Sequence, residues 1–228
     1  MASTSPATFG LLGLLAARPW TGYELTRQVQ RSLRFAWPTS EGHLYREQKR
    51  LVELGWATVE QEPVGRRTRR RYTITAAGRI ALKEWQATPP QEPQLHVEGV
   101  LRVFLGDHAS PEELAASMRT TGSQAGQMLD ELHRYVAEYL ADGGPLDMLE
   151  RGLGGPRERL EFRGRPMFPE RLHAVALAID VLTRLLATVE AWFDETADVV
   201  EQWQSTSGSD STAGTRERLE RIASRRGG

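Results

Sequence analysis

The chain has 228 residues, 39% apolar and 26% charged, the make-up of a soluble globular protein large enough for one big domain or two small ones. It contains no cysteine, which excludes disulfides, a thiol nucleophile and cysteine zinc sites, and which suits a reducing cytoplasm. The formal net charge of −1 conceals a split: residues 1–90 carry 14 Lys+Arg against 7 Asp+Glu, and residues 91–228 carry 15 against 23. A basic first part joined to an acidic remainder points to a nucleic-acid-facing domain followed by one with another task.

No run approaches the ~18 apolar residues that a membrane helix needs. The apolar stretch near the start lacks a preceding basic region, so neither a membrane span nor a signal peptide is expected, and the expected location is cytoplasmic. Ala7 to Ala17 is apolar nearly all round, as in a helix buried on several faces. Arg18-Pro19 ends it, because proline disfavours helix in the residue before it. Thr21 is an N-cap for a second helix running to about Leu33, with Leu25, Val29 and Leu33 on one stripe. Thr39-Ser40 opens a third helix whose Leu44, Leu51 and Leu54 face inward, leaving His43, Tyr45, Arg46, Lys49 and Arg50 outside. Gly55 suits the left-handed position that closes it.

Residues 56–62 alternate as a strand, Pro63-Val64-Gly65 turns, and residues 71–75 return. A fourth helix runs from Ala76 to about Ala87 and ends before Pro89-Pro90. Three helices followed by a hairpin is the order of a winged helix-turn-helix, whose second inner helix enters the major groove of double-stranded DNA. The hairpin is then the wing, and five arginines in six residues, Arg66, Arg67, Arg69, Arg70 and Arg71, lie on it. Alternation sends them to both faces, so a single buried acid cannot satisfy them; a polyanion can, by releasing condensed counterions. On the third helix, Ser40 and His43 sit at the phosphate-receptive N-terminus, and Arg46, Lys49 and Arg50 group their charge at i, i+3 and i+4. These cations either hold phosphate or read a guanine edge.

The second half reads as helix throughout. Ser110-Pro111-Glu112-Glu113 is a capping box, and from Leu114 to Tyr139 apolar and small residues recur in steps of four and three. After Pro169 the same stepping passes through Leu172, Val175, Ile179, Leu182, Leu186, Val189 and Phe193 to Trp203. These seven residues are the expected dimerisation seam, and Val181, Leu185 and Trp192 widen the band beyond what a two-helix hairpin covers. Residues 142–168, with six glycines and three prolines, read as a long mobile connection. Residues 205–214 read as linker and 215–226 as a short basic helix or an unstructured tail. The aromatic residues Trp85, Phe104, Tyr135, Tyr139, Phe168, Trp192 and Trp203 are expected near the seam, where they offer surface to core packing first and to a small-molecule effector second.

The text Gly10-Leu-Leu-Gly-Leu-Leu15, Thr21-Gly-Tyr-Glu-Leu25, Ser40-Glu-Gly-His-Leu-Tyr-Arg-Glu47, Leu51-Val-Glu-Leu-Gly55 and Arg71-Tyr-Thr-Ile-Thr-Ala-Ala-Gly78 resembles the PadR-like transcriptional regulators, in order, over nearly all of residues 7–88. The wording of Tyr45-Arg46-Glu47, with the long second half, is similar to the subgroup with a long C-terminal domain. The resemblance implies a winged-helix domain, a helical dimerisation domain and repression at palindromic promoter sites. It makes Ser40, His43, Tyr45, Arg46 and Lys49 the recognition-helix contacts. The family often has proline where this chain has Glu41 and Arg46.

The expected architecture is therefore mainly α: a winged helix-turn-helix domain over 1–90, a coiled-coil-like helical domain over 91–204 for dimerisation and effector response, and a flexible basic tail over 205–228. The function expected is a homodimeric, sequence-specific DNA-binding repressor with no cofactor, metal or membrane. A protein-interaction adaptor that keeps the winged helix as a scaffold is the rival, and it would have no basic recognition face. An enzyme is not expected: the five histidines are scattered, with no His-Glu-x-x-His, and neither a Gly-x-Ser-x-Gly elbow nor a phosphate-binding loop occurs.

Overall fold

The computed structural model describes residues 4–64, 67–153, 160–207 and 212–224. The chain divides into two compact units. One holds residues 1–93 together with 148–172, and the other holds 94–147 with 173–228.

The first unit is the winged-helix head. Helix α1 (Pro6–Ala17) is capped by Ser5, whose side chain accepts from the Thr8 amide, and its Leu11, Leu12 and Leu15 are fully enclosed. Because it is apolar nearly all round, the other elements pack on it from several sides. Strand β1 (Trp20–Thr21) follows, and Trp20 donates its indole N–H to the Leu14 carbonyl at 2.9 Å. Helix α2 (Gly22–Ser32) opens on a reciprocal capping box between Thr21 and Glu24. Helix α3 (Glu41–Glu53) is capped by Ser40 and closes at Gly55, whose φ of 70° is open to a residue without a Cβ. Strands β2 (Ala57–Val64) and β3 (Arg67–Ile74) form the hairpin, and helix α4 (Ala76–Ala87), capped by Thr75, returns to α1. The sheet order β1-β3-β2 puts Trp20 opposite Tyr72 and Thr21 opposite Arg71.

Three expectations change in the head. Strand β3 begins at Arg67 rather than 71, so Arg67 to Arg71 are strand, held in register by eight cross-strand pairs between β2 and β3. Leu54 lies on the surface because the helix ends there. Two of the aromatic residues expected near the seam belong here instead: Trp85 stacks on Phe9 at 4.7 Å, and Phe168 packs on Trp20 at 5.9 Å.

Phe168 reaches the head because residues 148–172 are part of it. The expected mobile connection contains helix α7 (Pro145–Glu150), strands β4 (Leu160–Phe162) and β5 (Arg165–Met167), and a 3₁₀ turn at Pro169–Arg171. Arg171 donates to the Gly13 carbonyl of α1 at 3.0 Å, and Met167 is buried. Gly143, Gly152 and Gly164 take the positive φ of tight turns, and residues 154–159 of the expected connection lie outside the described residues.

The second unit is an antiparallel helical hairpin. Helix α5 (Glu98–Phe104), which periodicity does not reveal because it is only seven residues long, precedes helix α6 (Pro111–Leu140). Helix α8 (Leu172–Glu201) runs back along α6, and Arg119 near the start of α6 reaches Asp198 and Glu201 near the end of α8, at 2.9 and 2.6 Å. Leu114, Ala115, Met118, Phe193, Ala197 and Val200 form the core. Helix α9 (Thr212–Ser224) lies in the stretch expected as linker and tail.

Two features of α8 depart from the sequence expectations. Phe193, expected at a dimer seam, is 1% exposed inside the chain's own core, and Val189 packs against that core. The apolar face left open runs through Leu177, Val181, Leu185 and Trp192, which are 74, 52, 50 and 40% exposed. Leu172, Val175, Ile179, Leu182 and Leu186 are half-buried. Also, residues 169–201 form a helix long and apolar enough, by length and composition, to cross a membrane, with a mean hydropathy of 1.7 over 18 residues. Asp180 and Arg184 interrupt its apolar runs, which is why uninterrupted stretches do not show it. They form an i,i+4 ion pair.

Candidate nucleic-acid interface

Ser40 begins the interface, its Oγ accepting the His43 amide at 3.3 Å to fix the start of α3. His43 is half-buried, its Nε2 lying 4.0 Å from Glu47 Oε1. Glu47 is itself buried and accepts a hydrogen bond from Thr8 Oγ1 of α1. The one acid in the middle of α3 is thus turned inward and subtracts little from the outer face. On that face Tyr45, Arg46 and Lys49 are exposed and Arg50 is half-buried.

The hairpin arranges its arginines unequally. Arg71 is bound to Glu62 at 2.5 Å, diagonally across the two strands. The Arg71 hydrogen bond holds the Glu62 carboxyl below its ordinary range, and the same contact raises the Arg71 guanidinium. Arg69 and Arg70 are exposed, and among the described residues neither they nor Arg46 and Lys49 form an ion pair. Arg66 and the side chain of Arg67 lie outside the described residues.

A cleft of about 580 Å³ joins the two cationic elements. Tyr45, Gln48 and Lys49 of α3 form one wall, Thr68, Arg69, Arg70 and Tyr72 of β3 another, and Thr21 to Glu24 at the start of α2 a third. Three cations, tyrosine hydroxyls and the amide-rich first turn of α2 therefore converge on one space, which is the chemistry of a phosphate backbone contact. Glu24 is the one acid among the described lining residues: burial pushes its carboxyl up, but hydrogen bonds from the Thr21 amide and hydroxyl and the charges of Arg18 and Arg71 outweigh it, so the group stays ionised with its oxygen engaged in the capping box and offsets part of the three cations. Of the expected DNA contacts, Tyr45, Lys49, Arg69 and Arg70 meet in the cleft; Ser40, His43, Arg46 and Arg50 lie on α3 outside it.

Tyr23 and Gln48 are additional to the expected set. Tyr23 sits off the Leu25–Val29 stripe, so its exposure was readable from spacing. Gln48 occupies an inward position between Leu44 and Leu51; its Nε2 donates to Gly22 O at 3.1 Å and Thr26 Oγ1 at 2.9 Å, fastening α3 to α2. Among the described residues its Oε1 accepts no hydrogen bond. No group of three or more His, Cys, Asp or Glu able to hold a metal occurs among the described residues.

Residues 11–84 match the model of the transcriptional regulator PadR-like family. These residues, in the head, are where the chain is similar to this family. The PadR-like chain is 22% identical over 148 residues to the negative transcriptional regulator PadR of Bacillus subtilis (strain 168), covering 64% of itself and 81% of that protein. Its fold is similar to that of Bacillus subtilis PadR in complex with operator DNA, with a TM-score of 0.62 at 16% identity, covering 85% of this chain and 98% of that one. The same Bacillus protein in complex with p-coumaric acid gives 0.56 at 18% identity, with 88 and 100% coverage. The Vibrio cholerae virulence activator AphA gives 0.54 at 23% identity, with 86 and 95% coverage. These likenesses extend beyond the winged helix to the helical second half of the PadR-like chain.

Proposed function

We propose that this PadR-like regulator is a homodimeric repressor that binds a palindromic operator through α3 and the β2–β3 wing. The observation that carries the reading is the convergence of Lys49, Arg69 and Arg70 on one cleft beside the outer face of α3. In this reading the two copies of α3 enter successive major grooves, about 34 Å apart, and the wings lie on flanking backbone. Ser40, His43, Tyr45, Arg46, Lys49, Arg50, Arg66, Arg67, Arg69 and Arg70 are the proposed contacts. The named role of the Bacillus relative supports repression. The open stripe of α8 supports dimerisation, since an apolar face of this extent is covered by a partner in water. A small-molecule effector is supported by the relative solved with p-coumaric acid; bound to the helical unit, it would prefer one spacing of the two heads over another.

The test is binding to the duplex upstream of the chain's own gene beside a scrambled duplex, at several salt concentrations. A site-specific excess of ~10³ or more is expected. Equal, steeply salt-dependent binding to both duplexes would sink the reading and leave the winged helix as a scaffold for protein partners. Sedimentation without detergent tests the dimer, because a membrane helix would aggregate there.

A further inference from the structure

The β4–β5 hairpin is basic within an acidic half, with Arg163 and Arg165 against Glu161. It is built onto the head. Met167 is buried, Phe168 packs on Trp20, and Arg171 bonds the Gly13 carbonyl. Trp20 precedes Thr21, which borders the cationic cleft, and pairs with Tyr72, which lines it. The hairpin therefore stands on the edge strand that borders the cleft, within the same compact unit.

Its tip is chemically anomalous. Phe162 pairs with Arg165 across a two-residue loop, Arg163-Gly164, in which both residues have positive φ, 52° and 69°. Such loops favour asparagine or glycine at the first position, because a Cβ is crowded there. Arg163 is the one non-glycine residue at positive φ among the described residues. The backbone of the turn does not call for arginine. What arginine adds is an exposed charge at the end of the hairpin, its guanidinium 5.0 Å from the centre of the Phe162 ring. A side chain chosen against the local backbone preference marks a site whose use lies elsewhere.

We propose that the β4–β5 hairpin is a second wing, and that Arg163 takes a backbone phosphate of the duplex flanking the operator. This rests on the DNA-binding reading above. Charge complementarity selects the partner: a long polyanion held at the cleft can also meet a cationic tip carried by the same unit, whereas an acidic peptide would need only the tip.

The experiment uses the full chain and its Arg163→Asn and Arg163→Lys variants. Affinity is measured on the preferred operator, once with about ten extra base pairs on each side, one helical turn, and once trimmed to the palindrome. Arg163→Asn is expected to melt ~1–2 °C higher, since asparagine suits the turn. On the long duplex it is expected to bind about 3- to 10-fold more weakly, with a salt slope shallower by about 0.9 per protomer. Arg163→Lys restores the slope, and the trimmed duplex abolishes the difference. Binding that is weaker for DNA yet accompanied by a lower melting temperature would reduce the effect to turn damage and overturn the proposal. Unchanged affinity and slope on the long duplex, with specific binding by the unaltered chain, would overturn it and leave the DNA reading standing. Failure of the unaltered chain to distinguish operator from scrambled duplex would remove both.

Discussion

At the residue scale, arginines adjacent in sequence differ sharply in role. Arg71 is tied to Glu62, while Arg70 next to it opens on the cleft. Arg70→Ala is therefore expected to weaken DNA binding and lower the salt slope by about 0.9 per protomer with little effect on stability. Fluorescence anisotropy across a salt series reads the slope, and an unchanged slope would take Arg70 out of the contact set. Glu24 carries a second expectation. Its folded carboxyl titrates below the unfolded one, so its stabilisation is present above the ordinary carboxylate range and is lost as pH falls through the folded value. Glu24→Gln should be less stable near neutrality and lose less on acidification. Urea midpoints at pH 7 and pH 3.5 compare the two chains, and parallel losses would contradict the assignment.

At the scale of elements, the sequence told most where a pattern repeats. The capping boxes at Thr21 and Ser110 start helices where the residues say they should, and the sequence order of helices and hairpin is the one observed. Less was legible where an element is short or depends on a distant partner. Strand β1 has two residues and exists because β3 lies beside it; α5 has seven, too few for a period to show. The cleft follows the same rule: Lys49 and Arg70 each announce a cation, but only the fold brings them to one space, and Gln48 is a polar residue in a place that spacing assigns to the core. Phe193 was not separable in sequence from the open stripe of α8 because two apolar stripes share one helix, and sequence alone cannot say which of them α6 takes. Phe193→Ala should destabilise the chain by ~3–5 kcal/mol, as expected for a buried phenylalanine. Leu185→Glu should leave the fold intact and convert the dimer to monomer. Thermal melts and sedimentation separate these outcomes, and a dimeric Leu185→Glu protein would move the interface away from this stripe.

At the scale of the whole molecule, the proposed dimer would read a distance as well as a sequence through its two heads. Inserting five base pairs between the half-sites turns one of them by about half a helical turn. Affinity should then fall to the level of scrambled duplex, and an insertion of ten should restore part of it. Retained affinity after the five-base-pair insertion would show that each head binds alone.

The head's discontinuity bears on how the protein is made. Trp20 emerges from the ribosome early, but Phe168 and Arg171, which pack on it and on α1, emerge only after the whole of α6 has been synthesised. At about 5–20 residues per second, the 79 residues between Pro93 and Leu172 take roughly 4–16 s. For that interval the nascent head exposes an aromatic face, open to chaperones and to neighbouring chains on the same message. A head assembled this way is complete only once Leu172 has been synthesised.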